Sequence, residues 1–135
     1  MEQGGDGVTS IGRDAFSNCS GLLSVVIGDG VTSIGYYAFS NCSSLTSVVV
    51  GVSVTSIEGM AFYNCGSLAS AYYKGTAESW DKITMGDYNF NLMGATRYYY
   101  SESEPTEATE SGKYWRYVDG VPTVWTYNTT ASKWE

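Results

Sequence analysis

Short apolar runs alternate with polar turns along the first half of the chain, and the pattern recurs with a step of 23 residues. One run, Val-Thr-Ser-Ile, occupies residues 8–11, 31–34 and 54–57. A second, β-rich run begins at Ser24, Ser47 and Ser70, and Ala-Phe-x-Asn-Cys lies between the two runs. A fixed step of about 20–30 residues is typical of solenoids, in which each repeat stacks as one coil on the last. We therefore expect both runs to form short strands joined by an arc.

The spacing also predicts which side chains are buried. Side chains alternate across a strand, so in the run that starts at Ser47 we expect Val48 and Val50 to point inward and Val49 to point outward. Coils stack at about 4.8 Å, which places equivalent residues in columns. The columns predicted to be buried are Phe16, Phe39 and Phe62, and Ile11, Ile34 and Ile57.

One outward column is unusual because its members are apolar or aromatic. They are Val26, Val49, Tyr72 and Tyr99, at positions where serine or threonine would suit a solvated sheet better. Such a column predicts a contact surface. Two interpretations compete: the carboxyl-terminal hairpin folds back and buries part of the column, or the column stays exposed as an aromatic platform for protein or glycan ligands.

The repeat becomes divergent after its third copy. Residues 74–100 are interpreted as a degenerate fourth coil with a longer arc. A short helix is expected within 77–83, because it places Trp80 and Ile83 on one side. The chain then returns to a strand at 97–100.

The last third of the chain predicts a linker followed by a hairpin. Residues 101–112 carry no large apolar side chain, which indicates a solvated, acidic linker. Asp119-Gly120 between two alternating runs is a strong hairpin signal, and Pro122 favours an edge strand. The predicted division is a repeat region over 1–100, a linker over 101–112 and a hairpin tail over 113–135.

The motif Val-Thr-Ser-Ile-Gly-x-x-Ala-Phe-x-Asn-Cys-x-x-Leu, carried by residues 7–73, resembles the BspA-type leucine-rich repeats of bacterial surface proteins. Leu45-x-x-Val48-x-Val50 fits the leucine-rich spacing. Residues 72–80 and 114–125 look like the closing segment and the tail of such proteins. Together these features predict a mainly β repeat protein: a leucine-rich-repeat solenoid of three 23-residue coils with a divergent carboxyl-terminal cap and a β-hairpin.

The resemblance implies a binding or adhesion module of a secreted or cell-surface bacterial protein, with a protein or glycan as its ligand. It brings no binding residue that transfers to this chain. The alternative is a structural spacer or stalk without a ligand of its own. No signal peptide is visible, and the parent protein is nevertheless expected outside the cell or on its surface.

The first residues match the inside of a coil. Gly5-Asp6-Gly7-Val8 repeats Gly28-Asp29-Gly30-Val31, which predicts that the chain is a fragment that begins within a coil and lacks a cap. An uncapped coil leaves a strand edge and an apolar layer without a neighbour. We therefore expect a homodimer through the amino-terminal coil, since a two-fold pair closes the assembly.

Two residue columns raise the question of a chemical site. Cys19, Cys42 and Cys65 recur at one position, and stacked equivalents lie on a line rather than at the corners of a tetrahedron, which disfavours a metal site. We expect free buried thiols, with a single disulfide as the alternative. Asn18, Asn41 and Asn64 are expected to form a ladder at the turns.

Composition excludes several classes of function. The chain has no histidine, so imidazole-based catalysis is excluded, and the acids nearest to aromatic residues (Glu78, Asp81 and Asp87) are expected to be solvated rather than a glycosidase pair. We therefore expect no enzyme activity, no cofactor and no metal. The net charge of −7 disfavours nucleic acid as a partner. An apolar run of about 18 residues, which a membrane span requires, is absent.

Overall fold

A computed structural model describes residues 7–135 and, for the backbone alone, residues 2–3. The strands are β1 (Glu2–Gln3), β2 (Ser10–Ile11), β3 (Ser24–Ile27), β4 (Ser33–Ile34), β5 (Ser47–Val50), β6 (Ser56–Ile57), β7 (Ser70–Tyr73), β8 (Thr84–Met85), β9 (Thr96–Tyr100), β10 (Tyr114–Val118), β11 (Val121–Val124), β12 (Tyr127–Asn128) and β13 (Lys133–Trp134). The helices are α1 (Ala77–Asp81) and α2 (Phe90–Gly94), and a 3₁₀ turn covers Ala108–Glu110. We number repeats 1 to 3 by their Val-Thr-Ser-Ile runs, and repeat 4 contains α1, β8, α2 and β9.

The two β-rich runs of each repeat form short strands, as predicted, and these strands pair in parallel with their equivalents to build two sheets. The long sheet has the order β1-β3-β5-β7-β9-β10-β11, and the short sheet has the order β2-β4-β6-β8. Serine pairs with serine along the long sheet, where Ser24 lies opposite Ser47 and Ser47 opposite Ser70. The repeats therefore stack in register, each lending its strands to the next.

The predicted buried columns lie between the sheets. The rings of Phe16 and Phe39 stack at 5.4 Å, and those of Phe39 and Phe62 at 5.2 Å. Phe39 and Phe62 are fully buried, whereas Phe16 is half-buried, and within residues 7–135 its ring stacks on that of Phe39 alone. All three isoleucines of the second column are also buried. Each such side chain contributes about 1.5–3 kcal/mol when it is removed from water, so these columns carry much of the stability.

The arcs turn through left-handed backbone positions occupied by asparagine. Asn18, Asn41 and Asn64 have φ of 63°, 59° and 58°, a region in which asparagine is enriched over other residues with a Cβ. Their amides form the predicted ladder: Nδ2 of Asn41 donates to Oδ1 of Asn18 at 3.0 Å, and Nδ2 of Asn64 donates to Oδ1 of Asn41 at 2.9 Å. The ladder ties neighbouring arcs together at the surface.

Repeat 4 ends the stack with α2, which the sequence did not predict. In repeat 2 the N–H of Phe39 donates to the carbonyl oxygen of Ala61 in the following repeat, at 2.7 Å. In repeat 3 the N–H of Phe62 donates instead to the side-chain Oδ1 of Asn89, at 2.9 Å. Asn89 is 2% exposed. Its amide therefore takes the place of the backbone carbonyl that a further regular repeat would provide.

The predicted helix at the start of repeat 4 is confirmed. Helix α1 begins after Thr76, whose side chain accepts a hydrogen bond from the N–H of Ser79, while Oγ of Ser79 accepts one from the N–H of Thr76. This reciprocal pair is a capping box. Trp80 and Ile83 are both buried, as their spacing predicted.

The predicted hairpin is present, and it joins the long sheet at its edge. Strands β10 and β11 pair antiparallel around Asp119 and Gly120, whose φ angles of 51° and 78° fit a type I′ turn. Strand β10 then pairs in parallel with β9, so the hairpin extends the sheet. Pro122 lies in β11, the outermost strand, as expected. The division at 101–112 stays a prediction.

The sequence predicts that the first long strand, β3, has no neighbour at its outer edge. This prediction is wrong at two positions. The backbone of β1 pairs in parallel with β3, with Glu2 opposite Val26 and Gln3 opposite Ile27. Of the four residues that match Gly28–Val31, Gly5 and Asp6 lie outside the described residues. Within the part of the chain that the structure describes, no helix is long and apolar enough to cross a membrane.

Candidate binding surfaces

The predicted contact column exists for three of its four members. Val26, Val49 and Tyr72 lie side by side on adjacent strands of the long sheet. The fourth place belongs to Tyr98, whose ring stacks on that of Tyr72 at 5.3 Å. The assignment of Tyr99 to this column is therefore wrong.

Tyr99 faces the core because repeat 4 differs in length from the others. It lies opposite Tyr73 and packs against the buried cluster. Its hydroxyl accepts a hydrogen bond from Nε of Arg97 at 3.0 Å. Helix α1 adds residues before β8, and α2 replaces a longer arc after it. The net step from Tyr72 is therefore 26 residues, rather than 23 or the 27 that the assignment assumed.

The hairpin covers part of this column. The Trp115 side chain is fully buried, with its ring 5.4 Å from that of Tyr72. Its Nε1 donates a hydrogen bond to the carbonyl oxygen of Tyr73 at 2.8 Å. Val49 is 4% exposed, and Val26 and Tyr72 are half-buried. Of the two interpretations of the column, partial burial by the hairpin agrees with the structure; a ligand contact at Val26, Val49 or Tyr72 stays a prediction.

Lys74 places a positive charge on the same face of the long sheet. Its Nζ lies 4.7 Å from the centre of the Tyr100 ring and 5.6 Å from that of Tyr117, within the range of cation–π attraction. The same nitrogen is 3.7 Å from the Asp29 carboxylate. The charged and aromatic groups at this end of the face therefore contact one another within the chain.

A more open aromatic surface lies on the arcs, and the sequence patterns described above do not predict it. We call it the arc face and define it by its exposed residues Tyr36, Tyr88, Phe90 and Met93. Phe90 is 72% exposed, Tyr88 is 50% exposed, and their rings meet edge to face at 5.9 Å. One signal was available: Tyr36-Tyr37 stands in repeat 2 where repeat 1 has Arg13-Asp14.

The arc face contains a cleft of about 360 Å³ above Gly59, which we call the Gly59 cleft. Tyr36 and Tyr88 line it together with the acids Glu58 and Asp87. A second opening of about 470 Å³ shares Asp87 and Tyr88 with it and reaches Phe90 and Met93. The two openings therefore form one continuous surface, which aromatic and acidic residues line together.

Another cavity of about 360 Å³ lies between repeat 4 and the hairpin. Arg97, Tyr99, Glu110 and Tyr114 are among its lining residues. The Arg97 guanidinium lies 4.6 Å from the centre of the Trp80 ring. Burial, and then the nearby carboxylate of Glu110, raise the pKa of Tyr114. These polar groups are largely paired with one another.

The cysteine column consists of free thiols. Cys42 and Cys65 are buried, as predicted, and Sγ of Cys65 donates to the carbonyl oxygen of Phe39 at 3.1 Å. Burial raises the pKa of Cys65 to about 11 and also raises that of Cys42. Cys19 is half-buried, contrary to the expectation of full burial, because it lies at the end of the stack. Among residues 7–135 no cluster of three acids or thiols forms a metal site.

The acids considered for catalysis are separated. Asp87 lines the Gly59 cleft, whereas Glu78 and Asp81 lie exposed on α1, which contributes no residue to that cleft. The structure does not bring Asp87 together with either of them there.

Comparison with known proteins gives one structural neighbour. A leucine rich cell surface protein from Faecalibacterium prausnitzii is 23% identical, with a TM-score of 0.40, over 62% of this chain and 34% of that one. The match thus spans about a third of the neighbour's length. No curated protein matches the chain.

The repeats themselves match a described family. The BspA type leucine rich repeat region matches residues 5–100 in six copies. This range includes both sheets of repeats 1 to 4 and covers well over half of the chain. The chain therefore belongs to the BspA-type leucine-rich repeat family.

Proposed function

We propose that the chain is a non-enzymatic binding or adhesion module of a secreted or cell-surface bacterial protein, and that its ligand is a protein or a glycan. In this proposal the repeats form a short solenoid of three 23-residue coils, capped by repeat 4 and the hairpin. Family membership supports the proposal, since repeat proteins present extended surfaces for binding. The absence of histidine from the sequence supports a role without catalysis.

The observation that carries the proposal is the open arc face. Phe90 is well exposed, and Tyr88, Met93 and Tyr36 are each about half exposed. Large contiguous apolar patches on soluble proteins mark interaction sites, and within the arc face the rings of Tyr88 and Phe90 adjoin one another. Aromatic side chains also supply a large contact area with few rotatable bonds, which suits either a protein or a glycan ligand.

The alternative is a structural spacer or stalk without a ligand. Burial of Val49 favours it, because this member of the column predicted to bind is covered, and Val26 and Tyr72 are half-buried. A spacer gives no reason for a large exposed ring such as that of Phe90. We therefore place binding first and the spacer second.

The test is a binding screen of the full chain against arrays of host-matrix proteins and glycans. Replacing Phe90 and Met93 by alanine should remove the binding seen with the wild-type chain, since both side chains are exposed and contribute little to the core. Leu23→Ala is the matched control, because Leu23 is 64% exposed and lies outside the arc face. Binding that survives the double substitution contradicts the arc face as the site, and no binding by any variant favours the spacer.

We also propose that the chain forms a homodimer through its amino-terminal repeat. Val8 is exposed there, and β2 is the outermost strand of the short sheet. Pairing of β1 with β3 covers part of the long sheet at this end, so the short sheet supplies the free edge. Sedimentation over a wide concentration range measures the association, and a strict monomer at high concentration contradicts it.

A further inference from the structure

One column on the arc face lacks a side chain at a single repeat. The residues at this position are Arg13, Tyr36, Gly59 and Asp87, one from each repeat. The backbone confirms the equivalence: the N–H that follows Arg13 donates to the Tyr36 carbonyl oxygen at 3.0 Å, and the N–H that follows Gly59 donates to that of Asp87 at 2.8 Å. Gly59 therefore leaves a gap one side chain wide, between a tyrosine and an aspartate.

The backbone does not require glycine at this place. Gly59 has no left-handed φ, and a Cβ built there would lie 3.4 Å from Cε1 of Tyr36, which is an ordinary contact. The open space above Gly59 is thus a property of the surface and not a consequence of chain geometry.

The same column already holds a guanidinium on the other side of Tyr36. Arg13, from the preceding repeat, lies 5.6 Å from the centre of the Tyr36 ring and 5.4 Å from that of Tyr37. Its Nε is also 3.8 Å from the Asp14 carboxylate. A guanidinium beside a tyrosine and a carboxylate is therefore an arrangement that this surface forms by itself.

The gap at Gly59 offers the same two groups without the cation. Tyr36 borders it, and the acidic residues Glu58 and Asp87 are among those that line the cleft. Across residues 7–135 neither carboxylate takes part in an ion pair. The net charge of −7 adds a general attraction for cations.

We propose that the Gly59 cleft binds an arginine side chain of a partner protein, with the guanidinium beside Tyr36 and paired with Glu58 or Asp87. This inference rests on the proposed binding function and names the partner's chemistry. Arginine fits better than lysine, because its guanidinium is planar, stacks on aromatic rings and is weakly hydrated. A glycan ligand would leave the two carboxylates without a cation.

The probe is the peptide acetyl-Gly-Arg-Gly-amide, titrated into the full chain while backbone amide signals are followed by NMR. We expect saturable shifts at Tyr36, Gly59 and Asp87. The peptides with citrulline or lysine in place of arginine should bind about tenfold more weakly, because citrulline lacks the charge and lysine lacks the planar group.

A substitution that fills the gap gives the sharpest control. Gly59→Arg should abolish peptide binding while the fold is retained, because the new side chain takes the place of the guest. Gly66→Arg adds the same charge at an exposed glycine with open space around it, so binding should be unchanged. Thermal melting of both variants establishes that they are folded.

Equal binding by the arginine and citrulline peptides, or equal binding by the two variants, would overturn the inference. So would a maltotriose probe that shifts the same three signals at lower concentration than the arginine peptide. The proposed function fails separately: it is contradicted when array binding ignores the Phe90 and Met93 substitutions. Array binding that needs those two residues but ignores Gly59→Arg leaves the function standing and refutes the arginine site.

Discussion

Replacing Asn89 by alanine should destabilise the protein far more than its position near the end of the stack suggests. The side chain is buried and serves three backbone groups. Its Oδ1 accepts from the N–H of Phe62 at 2.9 Å, and its Nδ2 donates to the carbonyl oxygens of Glu58 and Gly86, each at 3.0 Å. Alanine leaves all three groups without this partner.

The size of the loss follows from the cost of unpaired backbone groups. A buried donor or acceptor left without a partner costs about 1–3 kcal/mol. The Glu58 carbonyl oxygen keeps a hydrogen bond from the N–H of Ala61. The other two groups set an upper limit of about 6 kcal/mol, and water that enters the space of the lost amide lowers it. We expect a loss of about 3 kcal/mol in the free energy of unfolding, a large share of the about 5–15 kcal/mol of a typical domain.

Asn91→Ala is the matched control, because it lies two residues further on and serves one group. Its Oδ1 accepts from the N–H of Cys65 at 3.1 Å, and its side chain is half-buried. The expected loss is about 1 kcal/mol, measured for both variants by urea unfolding at equal slope. Equal losses for Asn89→Ala and Asn91→Ala would refute the claim that the Asn89 amide replaces a missing repeat.

Asn89→Asp provides a second reading of the same site. An ionised carboxylate accepts from Phe62 but repels the two carbonyl oxygens, so burial and repulsion should raise the pKa of the new acid in the folded state. A raised folded pKa means that stability is greatest below the unfolded value of about 3.9 and falls as pH rises through the folded value. The variant should therefore be closer to the wild type at pH 4 than at pH 7.

Three further predictions follow from burial. Phe39→Ala should cost about 3–5 kcal/mol and Phe16→Ala clearly less, since Phe39 stacks on both sides and Phe16 on one; equal urea midpoints would contradict the stacking order. Cys65 should react slowly with thiol reagents and Cys19 faster. The free energy of unfolding should fall between about pH 8.5, where an unfolded thiol ionises, and about pH 11, where the folded Cys65 thiol ionises. A Cys65→Ala variant that shows the same fall would assign it to another group. Trp115→Ala should lower the melting temperature and increase the binding of hydrophobic dye, because the ring covers the aromatic column; an unchanged melt would mean that the hairpin is a free appendage.

The repeats were predictable because the same residues recur three times along the chain. The columns of Phe39 and of Ile34 follow directly from the step of 23 residues, and burial bears them out. The type I′ hairpin was predictable for a different reason, since Asp119-Gly120 suits a turn with two positive φ angles.

Repeat 4 was harder because it occurs once and changes length twice. Three consecutive tyrosines do not alternate between polar and apolar, so the sequence does not show which of them face outward. The pattern therefore predicts Tyr99 in the column that belongs to Tyr98. Helix α2 is one short turn with an exposed Phe90, and such a segment has no clear apolar period. The arc face does not follow from the sequence pattern, because it depends on how this helix packs against the arcs of repeats 2 and 3, which is a matter of tertiary structure.

Because the Asn89 amide ends the stack, the way in which the stack ends does not depend on the number of repeats that precede it. The three hydrogen bonds of this amide go to the backbone of repeat 3 and of its own turn. In repeat 2 the equivalent N–H, that of Phe39, donates to the next repeat in the same way. Addition or removal of a unit before repeat 3 would therefore leave these hydrogen bonds intact. In this way the length of the stack can change without a change in the segment that closes it.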